Sequence, residues 1–120
     1  PQDRNAYLLQ RRIEERLGQA TAGAWRLSTQ IKTDNIGLGF TADGDITRYN
    51  INGTTDYTLR RTGSSEIFQQ GKIQHFTSYS ATGTTVATLA AKRDAEVRLM
   101  IILADQIIDQ LLIISEDLQP

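Results

Sequence analysis

The residues that most often carry chemistry at neutral pH are scarce in this chain of 120 residues, which has one histidine and no cysteine. Without thiols there is no cysteine nucleophile, no disulfide frame and no thiolate metal site. His75 stands in Lys72-Ile73-Gln74-His75-Phe76 with no second histidine nearby to share a metal, so it reads as a strand or surface histidine. Asp105 and Asp109 are four apart, on one face of a helix. Paired carboxylates do acid–base work where their surroundings push the two pKa values apart; on a wet helix face they are merely solvated. Gly37-Leu38-Gly39 lacks the third glycine, the following helix and the later acidic residue of a dinucleotide loop. Ala81-Thr82-Gly83-Thr84-Thr85 has the composition of a phosphate loop without its Gly-Lys-Thr ending. Asn52-Gly53-Thr54 matches a glycosylation sequon, a pattern frequent by chance. The residues offer no convergent catalytic set and imply no cofactor and no metal.

The elements that hold these residues are legible from hydrophobic periodicity. The stretch from Ser78 to Ile114 turns from small, hydroxylated residues into a proline-free run with Val86, Leu89, Ala90, Val97, Met100, Ile101, Ala104, Ile107, Ile108 and Leu111 at helical spacing. The spacing predicts a helix over Thr85–Ile114, about 45 Å long at ~1.5 Å per residue, which needs a long apolar platform. Near the front, Asn5–Gly18 reads as a helix capped by Asp3 or Asn5 and stopped at Gly18, burying Leu9, Ile13 and Leu17 with Leu8 beside them. Gln19–Ala24 reads as a flexible link with no domain boundary.

Between the helices lies strand material. Trp25, Leu27, Thr29 and Ile31 alternate with polar residues. Past Thr33 the apolar set changes parity to Ile36, Leu38 and Phe40, which predicts a bulge or kink that Gly37 and Gly39 would accept. Asp43-Gly44 signals a hairpin turn. From Ile46 to Arg61, Tyr49, Ile51, Gly53, Thr55, Tyr57 and Leu59 face one way and polar residues the other. Gly63-Ser64 marks a second turn, and the return strand, Glu66–Tyr79, changes parity near Gly71. Strands of this length match the long helix. The expected fold is a single α+β domain over residues 1–120, a two-layer sandwich with two helices on one face of an antiparallel meander of three long strands, the other face polar.

Thirteen basic and fourteen acidic residues give a net charge of -1. No bulk charge therefore draws the chain to nucleic acid or an anionic surface, and any charge recognition is local. No apolar run reaches the ~18 to 20 residues of a membrane span.

Ile46-Thr47-Arg48-Tyr49, Tyr57-Thr58-Leu59, Tyr79-Ser80-Ala81-Thr82-Gly83, Arg93-Asp94 and Leu103-Ala104-Asp105-Gln106, in that order and spacing, resemble the alphaproteobacterial branch of the LPS-assembly lipoprotein family LptE. Arg11-Arg12-Ile13-Glu14 is in keeping, so the resemblance covers most of the chain. It implies a non-enzymatic protein anchored by lipid at the periplasmic side of the outer membrane. Such a protein plugs the LptD β-barrel and assists lipopolysaccharide insertion into the outer leaflet. It also implies a fourth strand before the first helix, a signal peptide and a lipidated cysteine; their absence from this sequence implies a chain shortened at its front. One sheet edge then lacks its neighbour and is expected to pair with a second copy or be covered.

Lipopolysaccharide carries phosphates, so the resemblance makes Lys92, Arg93 and Arg48 the candidate ligand contacts. A solvated charge or a local ion pair, Lys92 with Glu96 for example, is an at least equally good reading of all three. Tyr79, Ser80, Thr82, Gly83 and Thr84 are the candidate barrel contacts, a tight turn being the plainer reading. An auxiliary periplasmic lipoprotein of another envelope lipid-transport system of the ABC type is the alternative function.

Overall fold

The computed structural model describes residues 4–17 and 25–113. In chain order they form α1 (Arg4–Leu17), β1 (Trp25–Phe40), β2 (Ile46–Arg61), β3 (Ile67–Ser80) and α2 (Thr85–Ile113). The strands make one antiparallel sheet in the order β1-β2-β3, with both helices on one face. The expected two-layer α+β sandwich is therefore present. Asp3, Gly18 and the Gln19–Ala24 link lie outside the described residues. Asn5 is the second residue of α1, too late to cap it, and its Oδ1 is buried without a hydrogen-bond partner.

The core lies between α2 and the sheet. Ala95, Leu99, Leu103, Ile107 and Leu111 recur every fourth residue and, with Met100, Ala104 and Ile108, are the buried side of α2. They meet Ile51, Tyr57, Leu59, Ile73 and Tyr79 of the sheet and Leu9 and Ile13 of α1. Arg4 pairs with Glu96 at 3.0 Å, while Arg12 and Arg16 reach Asp105 further along. The helices therefore run in the same direction, and α1 begins too late along α2 to cover its first turns. That corrects one expectation: Val86, Leu89 and Ala90 do not join the core, and Val86 is 78% exposed; Ile101, further along α2, is also exposed.

Two register expectations also change. β1 pairs with β2 without interruption from Trp25↔Arg61 to Gly37↔Tyr49, and irregularities come only between Gly37 and Phe40. The bulge thus sits at the glycines expected to host it but too late to turn Ile36 inward. Ile36, Leu38 and Phe40 stay exposed. Along β3 the register runs unbroken through Gly71, which faces Tyr57; the shift lies near Phe68, between the Leu59↔Gln69 and Arg60↔Ile67 pairs. Phe76 consequently remains on the open face, opposite Asn52. The exposed surface of the sheet is polar along most of β2, with a run of exposed apolar side chains, Ile36, Leu38 and Phe40, near the end of β1.

Gly71 and Gly53 are required by packing. A Cβ on Gly71 would stand 2.7 Å from Cε2 of Tyr57, and one on Gly53 would stand 2.9 Å from Cδ2 of Leu99. Their small size lets the Tyr57 ring and the long helix approach the sheet backbone.

Candidate functional site

At one end of the elongated molecule lie the β1–β2 turn, the β3–α2 connection and the first turns of α2. The turn is closed by Thr41 N donating to Asp45 O (2.8 Å) and Gly44 N donating to Thr41 O (2.9 Å). Gly44 has φ +91° there, a conformation that favours glycine. The connection is tied back to the sheet by Ala81 N donating to Thr47 O at 2.9 Å. Ser80 and Thr82 share a hydroxyl hydrogen bond of 2.9 Å. Thr84 caps α2, its Oγ1 accepting from Ala87 N at 3.0 Å.

The candidate contacts lie at this end but not on one surface, Arg48 projecting from the open sheet face and Lys92 and Arg93 standing on α2 across the sheet. Arg48 stands opposite Ser80 in the β2–β3 ladder, and Lys92 joins Ala81, Gly83, Thr85, Thr88 and Leu89 around a shallow groove of about 330 Å³. Arg93 follows on the exposed side of α2. Among the described residues none of the three cations forms an ion pair, and Glu96, the expected partner of Lys92, is held by Arg4 instead. Tyr79 departs from its expected place on the surface. It is 7% exposed, stacks on Tyr49 at 5.3 Å and donates from its hydroxyl to Asn35 Oδ1 at 3.1 Å. It shapes the connection from within the core, leaving Ser80, Thr82, Gly83 and Thr84 at the surface.

The sequence's acid–base candidates do not converge. Asp105 is clamped by Arg12, whose Nε and Nη2 donate at 2.9 and 3.2 Å, and by Arg16 at 3.2 Å. The hydrogen bond from Arg12, the larger cause, and the charges of both arginines hold its carboxyl below the usual carboxylate range against a smaller opposing effect of burial. The same bond raises the Arg12 guanidinium. A carboxylate held ionised in this way fastens α1 to α2 and is poorly suited to proton transfer. Asp109 is exposed and apart from this clamp. His75 is exposed, with Nδ1 against the backbone N and O of Phe76 at 3.0 and 3.1 Å. Among the described residues no three His, Asp or Glu side chains stand together to hold a metal.

The opposite end holds a cluster absent from the candidates above. Arg26 and Arg60 face each other directly across β1 and β2, and Arg61 faces Trp25 with its guanidinium 4.5 Å from the ring centroid. Phe68 meets Trp25 edge-on at 5.0 Å. Folding β1 onto β2 about the Asp43-Gly44 turn is the signal that would have found this cluster; alternation taken one strand at a time leaves Arg26 and Arg60 as separate solvated charges.

Two helices roofing one face of a three-stranded antiparallel sheet define a two-layer α+β domain. The chain matches the family model for LptE, described as lipopolysaccharide-assembly, over residues 1–111. It belongs to the LptE family, as the resemblance in its sequence implied, and so to lipopolysaccharide assembly. Solved structures that share the fold include three lipoproteins. A candidate lipoprotein from Caulobacter crescentus CB15 has a TM-score of 0.80 at 19% identity, covering 100% of this chain and 89% of that one. Rare lipoprotein B from Shewanella oneidensis has a TM-score of 0.72 at 19% identity, covering 92% and 89%. A minor lipoprotein from Acinetobacter baumannii has a TM-score of 0.65 at 18% identity, covering 86% and 80%. No curated protein matches the chain.

Proposed function

We propose that the chain is the plug of an LptD-type outer-membrane β-barrel and assists lipopolysaccharide insertion into the outer leaflet, held at the periplasmic side by a lipid anchor. The observation that carries this reading is the LptE match across residues 1–111. The lipoprotein descriptions of the Caulobacter, Shewanella and Acinetobacter structures support the anchor.

The dimensions support the plug. The molecule extends 62 × 24 × 20 Å, a rod able to lie along a barrel axis. Strands spaced ~4.8 Å and tilted ~40° give a barrel backbone about 2 Å wide per strand, hence ~44 Å for ~22 strands, and ~5 Å of side chains on each wall leaves ~34 Å. A 24 Å backbone cross-section with its own ~5 Å side-chain layer on each side needs about that width. A ~16-stranded barrel, with ~22 Å left inside, is too narrow. The open sheet face contributes Asn50, Asn52, Thr54, Thr58 and Gln74, groups suited to a wet lumen wall. In this reading Arg48, Lys92 and Arg93 take lipopolysaccharide phosphates, and Ser80, Thr82, Gly83 and Thr84 touch the barrel.

Co-expression with the barrel encoded in the same genome, followed by pull-down, tests the assignment. The expected result is a stoichiometric complex whose partner is the barrel. Capture of an inner-membrane lipid transporter in its place would move the chain to the alternative envelope system.

A further inference from the structure

The end bearing the β2–β3 turn has the chemistry of a membrane-surface contact. Arg26 and Arg60 lie directly opposite in the ladder, an arrangement of like charges that weakens a sheet. No described carboxylate forms an ion pair with either of them or with Arg61, and Glu66 is the one acidic residue lining the shallow pocket here. Arg26 Nη2 donates to Ser64 O at 3.4 Å and Arg60 Nε to Ser65 O at 3.2 Å, both in the turn, and Arg60 Nη1 donates to Thr58 Oγ1 at 3.0 Å within β2. Each guanidinium carries five N–H donors, so most of them remain directed at solvent.

The same end carries aromatic surface on the helix-bearing face of the sheet, from which Trp25 and Arg61 project, while Arg26 and Arg60 project from the open face. Arg61 lies over Trp25, and Phe68, 44% exposed, packs against the same ring. Ile67, 43% exposed, adds apolar surface beside Arg60, its partner in the ladder. Guanidinium groups beside half-exposed aromatic and aliphatic side chains match a layer in which phosphates sit above hydrocarbon.

We propose that this end docks on an anionic phospholipid bilayer, Arg26, Arg60 and Arg61 taking headgroup phosphates while Trp25 and Phe68 enter the headgroup layer. A soluble phosphate would satisfy the arginines and leave the aromatics wet; a bilayer uses both. The contact is independent of the barrel and lies at the end opposite Lys92 and Arg48.

Trp25 is the only tryptophan of the chain and reports the contact directly. With phosphatidylglycerol vesicles at low salt, its emission shifts to the blue and the chain pellets with the vesicles. Phosphatidylcholine vesicles and inorganic phosphate leave the emission unchanged. Replacing Arg26→Gln and Arg60→Gln together weakens vesicle binding about 30-fold, from a contribution of ~1 kcal/mol per basic residue at an anionic surface. Arg61→Gln, which leaves the turn's hydrogen bonds in place, weakens it about 5-fold. The proposal is overturned by an unshifted Trp25 with phosphatidylglycerol or by variants that bind like the parent. A shift with inorganic phosphate alone, or binding lost on changing Lys92 and Arg93 instead, overturns it equally.

Discussion

Thr55 and Thr77 occupy similar buried places in the sheet and have opposite energetic characters. Thr77 Oγ1 donates to the carbonyl of Ala95 at 2.8 Å, tying β3 to α2. Thr55 is fully buried and its Oγ1 has no partner. A buried hydroxyl without a hydrogen bond costs on the order of 1 kcal/mol or more, so Thr55→Val is expected to raise stability by about 1 kcal/mol and Thr77→Val to lower it by about the same. Urea denaturation of the two variants distinguishes them; equal shifts would mean that the Ala95 bond contributes nothing. Asp105 supplies a pH-dependent counterpart. Its folded pKa is depressed, so its contribution is fully present above the unfolded value of about 3.9 and is lost as pH falls through the folded value. Because the clamp is about one-third exposed to solvent, screening limits its worth. Asp105→Asn is expected to cost about 1 kcal/mol near neutral pH. The gap between variant and parent should narrow as pH falls through the depressed folded value and the parent's carboxyl takes up its proton, and a gap constant with pH would remove the clamp as its source. None of these roles is legible in sequence, where Thr55 and Thr77 differ only in neighbours that fold from afar.

At the scale of elements the sequence is far more informative, because a period of 2 or 3.6 summed over fourteen or more residues dominates local exceptions. The limits of α2, the three strands and both turns follow from it. What alternation does not reveal is whether a parity change is resolved by a bulge or left as apolar residues on the open face. Ile36, Leu38 and Phe76 take the second course, since the continuous ladder is preserved, and a folded surface carries much apolar area in any case. Nor does a strand glycine announce its reason. Gly71 reads as a site of irregularity, yet it is a space for the Tyr57 ring, which is 1% exposed and anchored by its hydroxyl donating to Gln110 Oε1 at 2.9 Å. The ring cannot yield easily, so Gly71→Ala should destabilise the fold by about 1–3 kcal/mol through overpacking. A thermal scan checks this, and an unchanged melting temperature would show that β3 can slip or that Tyr57 is free to move.

Across the whole molecule, a net charge of -1 conceals an uneven distribution: among the described residues, cations stand without ion-pair partners at both ends, while the ion pairs cluster along the helices. Arg4, Arg12 and Arg16 engage Glu96 and Asp105, and Arg98 engages Asp94, so these charges are spent on fastening the roof. Lys92, Arg93 and Arg48 make no ion pair among the described residues, and the proposed function gives them the lipopolysaccharide phosphates. Lys92→Glu with Arg93→Glu is therefore expected to weaken lipopolysaccharide binding more than tenfold, two reversed charges each shifting the balance by ~1 kcal/mol or more at a partly desolvated contact. Stability should change by less than about 0.5 kcal/mol, because neither residue supports the core. Barrel capture should persist, since the docking contacts assigned to Ser80, Thr82, Gly83 and Thr84 are untouched. Binding of labelled lipopolysaccharide to parent and variant, alongside the pull-down, separates the two activities. Lipopolysaccharide affinity unaffected by the double reversal would transfer recognition to another surface, whereas loss of the barrel together with the lipid would mean that this end is one undivided contact.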